Sequence, residues 1–176
     1  MKLSLNVKLT NAGYFINGEF FHNNGINAQH SLAQAVSNYI CKKGQSLNGV
    51  FNKDVFWPLE LQFIIDWTLK NKFTISPSDH MLQRAEEYGI TKNCYKAVLY
   101  GEIVEATVVN GSLFKIVTRL PSKEKPEHDI CAAVELVMFG TENYATVRTV
   151  WLNRKDDRHL TLRKGKYVQE RDLQAS

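Results

Sequence analysis

No stretch of about 18 consecutive apolar residues occurs in the chain, so no segment is expected to span a membrane. The N-terminus, MKLSLNVKLTNAGYFING, sets polar residues at every second position and so lacks the continuous apolar core of a signal peptide. Cysteine is scarce: Cys41, Cys94 and Cys131 are odd in number and widely spaced. They form neither a metal motif nor a disulfide framework, and the expected setting is a reducing cytoplasm. There is no P-loop, dinucleotide fingerprint, nucleophile elbow or HExxH, and no cofactor or metal is expected. Internal repeats and low-complexity tracts are absent too.

What is present is an ordinary globular composition over 176 residues, enough chain to bury most of its apolar surface without staples. The net charge of +4 is mild, but it is unevenly placed. Residues 144–168 hold seven cations (Arg148, Arg154, Lys155, Arg158, Arg163, Lys164 and Lys166) against Asp156 and Asp157, so the rest of the chain is close to neutral. An apolar strand that leads into this cationic segment, with His159 and Tyr167 in it, is the first place to look for chemistry.

Periodicity predicts two parts. In the first, residues 1–72, alternation over 2–9 and 14–21 predicts two strands, the second bent at Asn17-Gly18. A helix follows, capped by Ser31 and stopped by Lys42-Lys43-Gly44. Residues 46–54 read as a polar loop, and a second amphipathic helix runs from Pro58 to near Lys72. This is a small ββαα extension. The second part, 76–168, starts with Ser76-Pro77-Ser78-Asp79, a strong helix start, and that helix ends at Gly89. A short helix over 90–100 and strands over 102–108, 112–120, 130–139, 144–153 and near 160–168 complete it, with Asn110-Gly111 as the clearest hairpin signal. The expected fold class is α+β: helices packed on one face of a curved antiparallel sheet of four to five strands, with residues 169–176 as a tail.

Three constellations carry possible chemistry. His80 and Arg84 lie one turn apart on one helix face, either as an ordinary exposed pair or with the imidazole presented toward the sheet. Lys115, Val117 and Arg119 share a strand face, as a basic solvent face or as a phosphate-binding stripe. Arg148 sits among apolar neighbours, grouped by alternation with Val150 and Leu152, while Thr149 falls with Val147 and Trp151; Arg154 to His159 follow. Histidine, arginine, lysine, threonine and tyrosine are the side chains of metal-independent phosphodiester cleavage. One imidazole takes the proton of a ribose 2′-OH, a second group protonates the leaving 5′ oxygen, and cations stabilise the charged transition state.

The helix motif SDHxxxRAEEYGI, the segment YGEIVEA, the strands KIVTRL and VRTVWLN, and the final DDRHLTLRKGKYV resemble the barnase–EndoU–colicin–RelE-like superfamily, over about 76–168. Within it the likeness is to compact ribonuclease toxin domains of bacteria and phages. The resemblance implies RNA held across an open sheet face. By position it implies His80 as the helix-borne histidine, Lys115 or Arg119 as the basic strand residue, Thr149 as the strand hydroxyl, and His159 and Tyr167 as the late pair.

The expectation is therefore a metal-independent endoribonuclease that leaves a 2′,3′-cyclic phosphate. His80, His159, Arg119, Thr149 and Tyr167 are the catalytic candidates; Arg84, Lys115, Arg148 and Arg158 are the substrate-binding ones. RNA is the expected partner, with a protein inhibitor or host protein as a further one, and no membrane. The alternative is a non-catalytic phage or bacterial accessory protein that uses the same fold to bind RNA or a host protein, such as an inhibitor of host defence.

Overall fold

The computed structural model describes residues 6–23, 28–110, 113–139, 142–158 and 164–175. The N-terminal alternation folds into three strands: β1 (Val7–Leu9), β2 (Gly13–Ile16) and β3 (Glu19–His22) form an antiparallel sheet in that order. Asn17 and Gly18 have φ of 48° and 87°, the two positive values that a two-residue hairpin loop needs. They end one strand and start the next, where the sequence suggests only a bend.

Helix α1 (Ala28–Ser46) starts ahead of Ser31 and runs past Gly44, so neither expected boundary holds. Lys42 and Lys43 each reach Glu19 on β3 at 2.7 Å, and Tyr39 and Ile40 are buried beside them. Tertiary contact thus carries the helix beyond its local stop signal. Residues expected as loop form β4 (Gly49–Asn52), and Phe51 is fully buried. Helix α2 (Leu59–Leu69) follows Pro58, and β5 (Thr74–Pro77) leads to α3 (Asp79–Tyr88). The Ser78 hydroxyl accepts from the Met81 amide at 3.1 Å, and Gly89 closes the helix at φ 64°. A 3-10 turn at Lys92–Cys94 and α4 (Tyr95–Val98) precede β6 (Glu102–Asn110), β7 (Leu113–Pro121), β8 (His128–Phe139) and β9 (Glu142–Arg154).

The main sheet has six strands in the order β4-β6-β7-β8-β9-β5, not four or five. Its pairs are antiparallel except β5, which runs parallel to β9. Pro77 is tolerated there because β5 is an edge strand and one missing N–H costs no ladder bond on its outer side. The expected α+β class holds; the antiparallel sheet and the ββαα extension are replaced by this mixed sheet and a βββαβα segment. β4, from the first 72 residues, is part of the sheet, and Tyr14, Ile16, Tyr39 and Phe63 share one buried cluster with Phe114, Val134 and Val147.

Helices α1, α3 and α4 pack on one sheet face, through Phe114, Ile116, Val134, Leu136, Ala145 and Val147. Pairing on β9 slips by one residue between Val147 and Thr149. This bulge adds Arg148 and turns Val150, fully buried, back to the core face with Val147. The alternation read from the sequence therefore fails beyond it. Of the expected last strand, residues 159–163 lie outside the described residues. Lys164–Lys166 form a 3-10 turn, Tyr167 makes a parallel bridge to Val50, and α5 (Glu170–Leu173) follows. Among the described residues no helix is long and apolar enough to cross a membrane.

Candidate functional site

On the sheet face away from the helices, which Tyr167 covers at its β4–β6 end, strand register sets the side chains in rows. One row runs Thr107, Lys115, Glu135, Thr146. The next runs Asn52, Glu105, Val117, Ala133, Thr149, and the third Glu102, Arg119, Cys131, Trp151. Rows are two residues, about 7 Å, apart. Lys115, Thr149 and Arg119 therefore do share one face in successive rows. That face is not cationic, however. Glu102, Glu105, Asp129 and Glu135 stand on it against Lys115, Arg119 and Arg148.

The third row ends in a cleft of about 570 Å³ where β6 begins, β7 ends and the chain leaves β9. Arg119 stands in its wall and is 14% exposed. Its Nε donates to Asp129 at 2.6 Å. Nη1 donates to the Asp157 carbonyl at 2.7 Å, and Nη2 to those of Arg154 and Lys155 at 2.7 and 3.2 Å. A guanidinium has five N–H groups, so four are taken. Arg119 thereby clamps the turn that follows β9. Lys53, Lys155 and Arg158 add three cations to the cleft, with the Tyr100 ring, 62% exposed, beside them. Five carboxylates line it too: Asp54, Glu102, Asp129, Asp156 and Asp157. Lys53 pairs with Glu102 at 3.0 Å.

Other candidates are placed elsewhere. His80 is exposed in the first turn of α3, whose cap Ser78 donates to the Arg148 carbonyl at 2.8 Å. From Arg148 to Arg154 at the end of β9 is six residues of strand, about 20 Å, and His80 does not line the cleft beyond it. Arg84 on the same helix is taken up by Glu87 at 2.5 Å and the Tyr88 hydroxyl at 2.7 Å, not by a phosphate position. Arg148 forks onto Glu135 at 3.3 and 3.1 Å. Tyr167 is buried over β4 and β6: its hydroxyl donates to Glu105 at 2.5 Å and accepts from the Asn52 amide at 3.3 Å. Lys115 is exposed and, among the described residues, has no ion pair. His159 lies outside the described residues. Lys53, Tyr100 and Asp129 are not among the sequence candidates, and Lys155 enters only as part of the charged run. Tyr100, Asp129 and Lys155 adjoin predicted strand ends, whereas Lys53 enters only through the pairing of β4 with β6.

No thiol is poised as a nucleophile. Cys131 is fully buried in the third row, and burial pushes its thiol up to about 11 despite the opposing pull of Arg119. Burial raises Cys94 and Cys41 as well. Among the described residues no group of three or more histidines, cysteines or carboxylates could hold a metal ion. Compared with models of protein families, with characterised proteins and with solved structures, the chain matches none.

Proposed function

We propose that the chain is a metal-independent endoribonuclease of toxin or phage type, with the Arg119 cleft as the seat of the scissile phosphate. The observation that carries this reading is the clamp: one arginine ties β7, β8 and the turn after β9 together and so holds the backbone that leads to Arg158 at a cleft with Lys53 and Lys155. Cations carried on a held backbone suit charge that develops on a phosphate in the transition state. His159, next in the chain after Arg158, is the acid–base group of the proposal; His80 is not its partner. The resemblance of KIVTRL, VRTVWLN and DDRHLTLRKGKYV to ribonuclease toxins supports the same reading. The test is incubation of purified protein with mixed tRNA and mRNA in EDTA. Cleavage to 2′,3′-cyclic phosphate ends is expected, and RNA left intact with and without metal would end the enzyme claim.

A second reading is a non-catalytic module that binds a host protein on the same surface. The balance of cations and carboxylates in the cleft favours it, since an alternating-charge surface suits a protein better than a phosphate backbone.

A further inference from the structure

The small N-terminal sheet has a face that the core does not use. Directly opposed residues of an antiparallel pair share a face. Tyr14 and Ile16 turn inward and are buried, with Phe21 opposite Tyr14. The other face carries Lys8 opposite Phe15, and Phe15 opposite Phe20. The two rings are 37% and 38% exposed, with centroids 5.0 Å apart and planes tilted by 49°. The His22 ring meets Phe20 edge-on at 4.9 Å. A recess of about 260 Å³ opens beside Phe15, lined by Asn6, Lys8 and Gly18.

The chemistry of this face selects its occupant. Among the described residues of this sheet, 6–23, none places a carboxylate on that face: Glu19, the one acidic residue, is on the inward side and is held by Lys42 and Lys43. The aliphatic residues Val7, Leu9 and Ile16 fall on the opposite side by alternation, where Leu9 is 66% exposed. What remains is two phenyl rings, an imidazole, an ammonium and an amide. Aromatic planes without aliphatic bulk, with a cation and no anion, match a ligand that offers flat rings and negative charge. Unpaired nucleobases on a phosphate backbone are that ligand; a duplex hides its base faces in its own stack.

We propose that this face is a stacking platform for single-stranded RNA, with bases on Phe15 and Phe20 and the Lys8 ammonium on the backbone. The proposal rests on the nuclease reading only for the choice of RNA as ligand. It gives the N-terminal sheet the role of choosing unpaired substrate.

The experiment is a fluorescence-anisotropy titration of the full chain with a labelled single-stranded 2′-O-methyl oligouridine of about ten nucleotides. The methyl group blocks attack by the 2′ oxygen, so binding is read without cleavage. Binding that weakens with salt is expected. Phe15→Ala and Phe20→Ala should each weaken it about tenfold, and Lys8→Gln should flatten its salt dependence. Phe15→Leu with Phe20→Leu keeps apolar bulk but removes the ring faces, and its thermal unfolding shows whether the fold is kept. A folded double-leucine variant that binds as tightly as the unaltered chain would overturn the proposal. So would no binding by the unaltered chain, or equal binding of a duplex. Intact RNA in the cleavage assay together with a bound probe would sink the nuclease reading and leave this one standing.

Discussion

Arg119 and Asp129 form an ion pair at 2.6 Å in which both side chains are nearly covered, at 14% and 13% exposure. The carboxylate orients a guanidinium whose remaining bonds go to three main-chain carbonyls of the 154–157 turn. Lysine is a point charge and cannot span four acceptors. Arg119→Lys should therefore cost about 3 kcal/mol, because it leaves Asp129 under-compensated and the turn untied. In a chain of this length that is a fall of about 6–12 °C in Tm by calorimetry. A melting curve that does not move would show that the clamp contributes little. Limited proteolysis should also cut the 154–158 turn faster in the variant.

Cys131 gives a pH dependence with a defined sign. Its thiol is raised from 9.0 to about 11 by burial, so the folded state holds the proton over a range where the unfolded chain has lost it. The stabilisation is fully present below pH 9 and is lost as pH rises toward 11. Two units correspond to roughly 3 kcal/mol. Urea titrations from pH 8 to 11 should show stability falling across that window, and Cys131→Ala should remove most of this slope. A thiol reagent at neutral pH should label Cys41 and Cys94 ahead of Cys131. Rapid labelling of Cys131 in the folded protein would contradict its burial.

Local punctuation was legible in the sequence where a single residue decides the geometry. Ser78 caps α3 and Gly89 ends it in the left-handed region, and both follow from side-chain chemistry within four residues. Features that depend on distant partners were not legible. β4 is four residues long, with Val50 and Phe51 its two apolar signals between Gly49 and Asn52; it is a strand because Ala106 and Thr107 lie beside it. The extra residue Arg148 shifts the face of everything after it on β9, and a bulge leaves no mark in composition. The charged run at 154–158 stood out at once. That Arg119, some 35 residues earlier, would be spent on its carbonyls did not, because main-chain acceptors carry no sequence identity.

Tyr167 separates a structural role from a catalytic one. The ring is 4% exposed, and the next amide, Val168 N–H, donates to the Val50 carbonyl at 2.9 Å. Tyr167→Phe keeps the ring but removes both a donor to Glu105 and an acceptor for Asn52. A loss of about 1–3 kcal/mol is expected in urea unfolding, since both polar partners are largely covered. RNA cleavage per folded molecule should be unchanged if the hydroxyl only holds the C-terminal segment against β4. A large drop in cleavage at unchanged stability would return Tyr167 to the site.

The distance between His80 and the cleft yields the most direct functional contrast. His80 stands at the start of α3, six strand residues along β9 from the turn that Arg119 holds. His80→Ala should leave cleavage in EDTA unchanged, because no cleft residue lies on α3. Arg158→Ala removes one of four cations from the cleft wall, and a fall of about 10²-fold in single-turnover rate is expected if that charge meets the phosphate in the transition state. The fall should appear in the rate at saturating RNA, with the concentration needed to saturate unchanged, because losing an interaction made only in the transition state lowers kcat and kcat/KM equally. If activity instead disappears with His80 and survives the loss of Arg158, the reaction takes place on the α3 side of the sheet and the Arg119 cleft is structural.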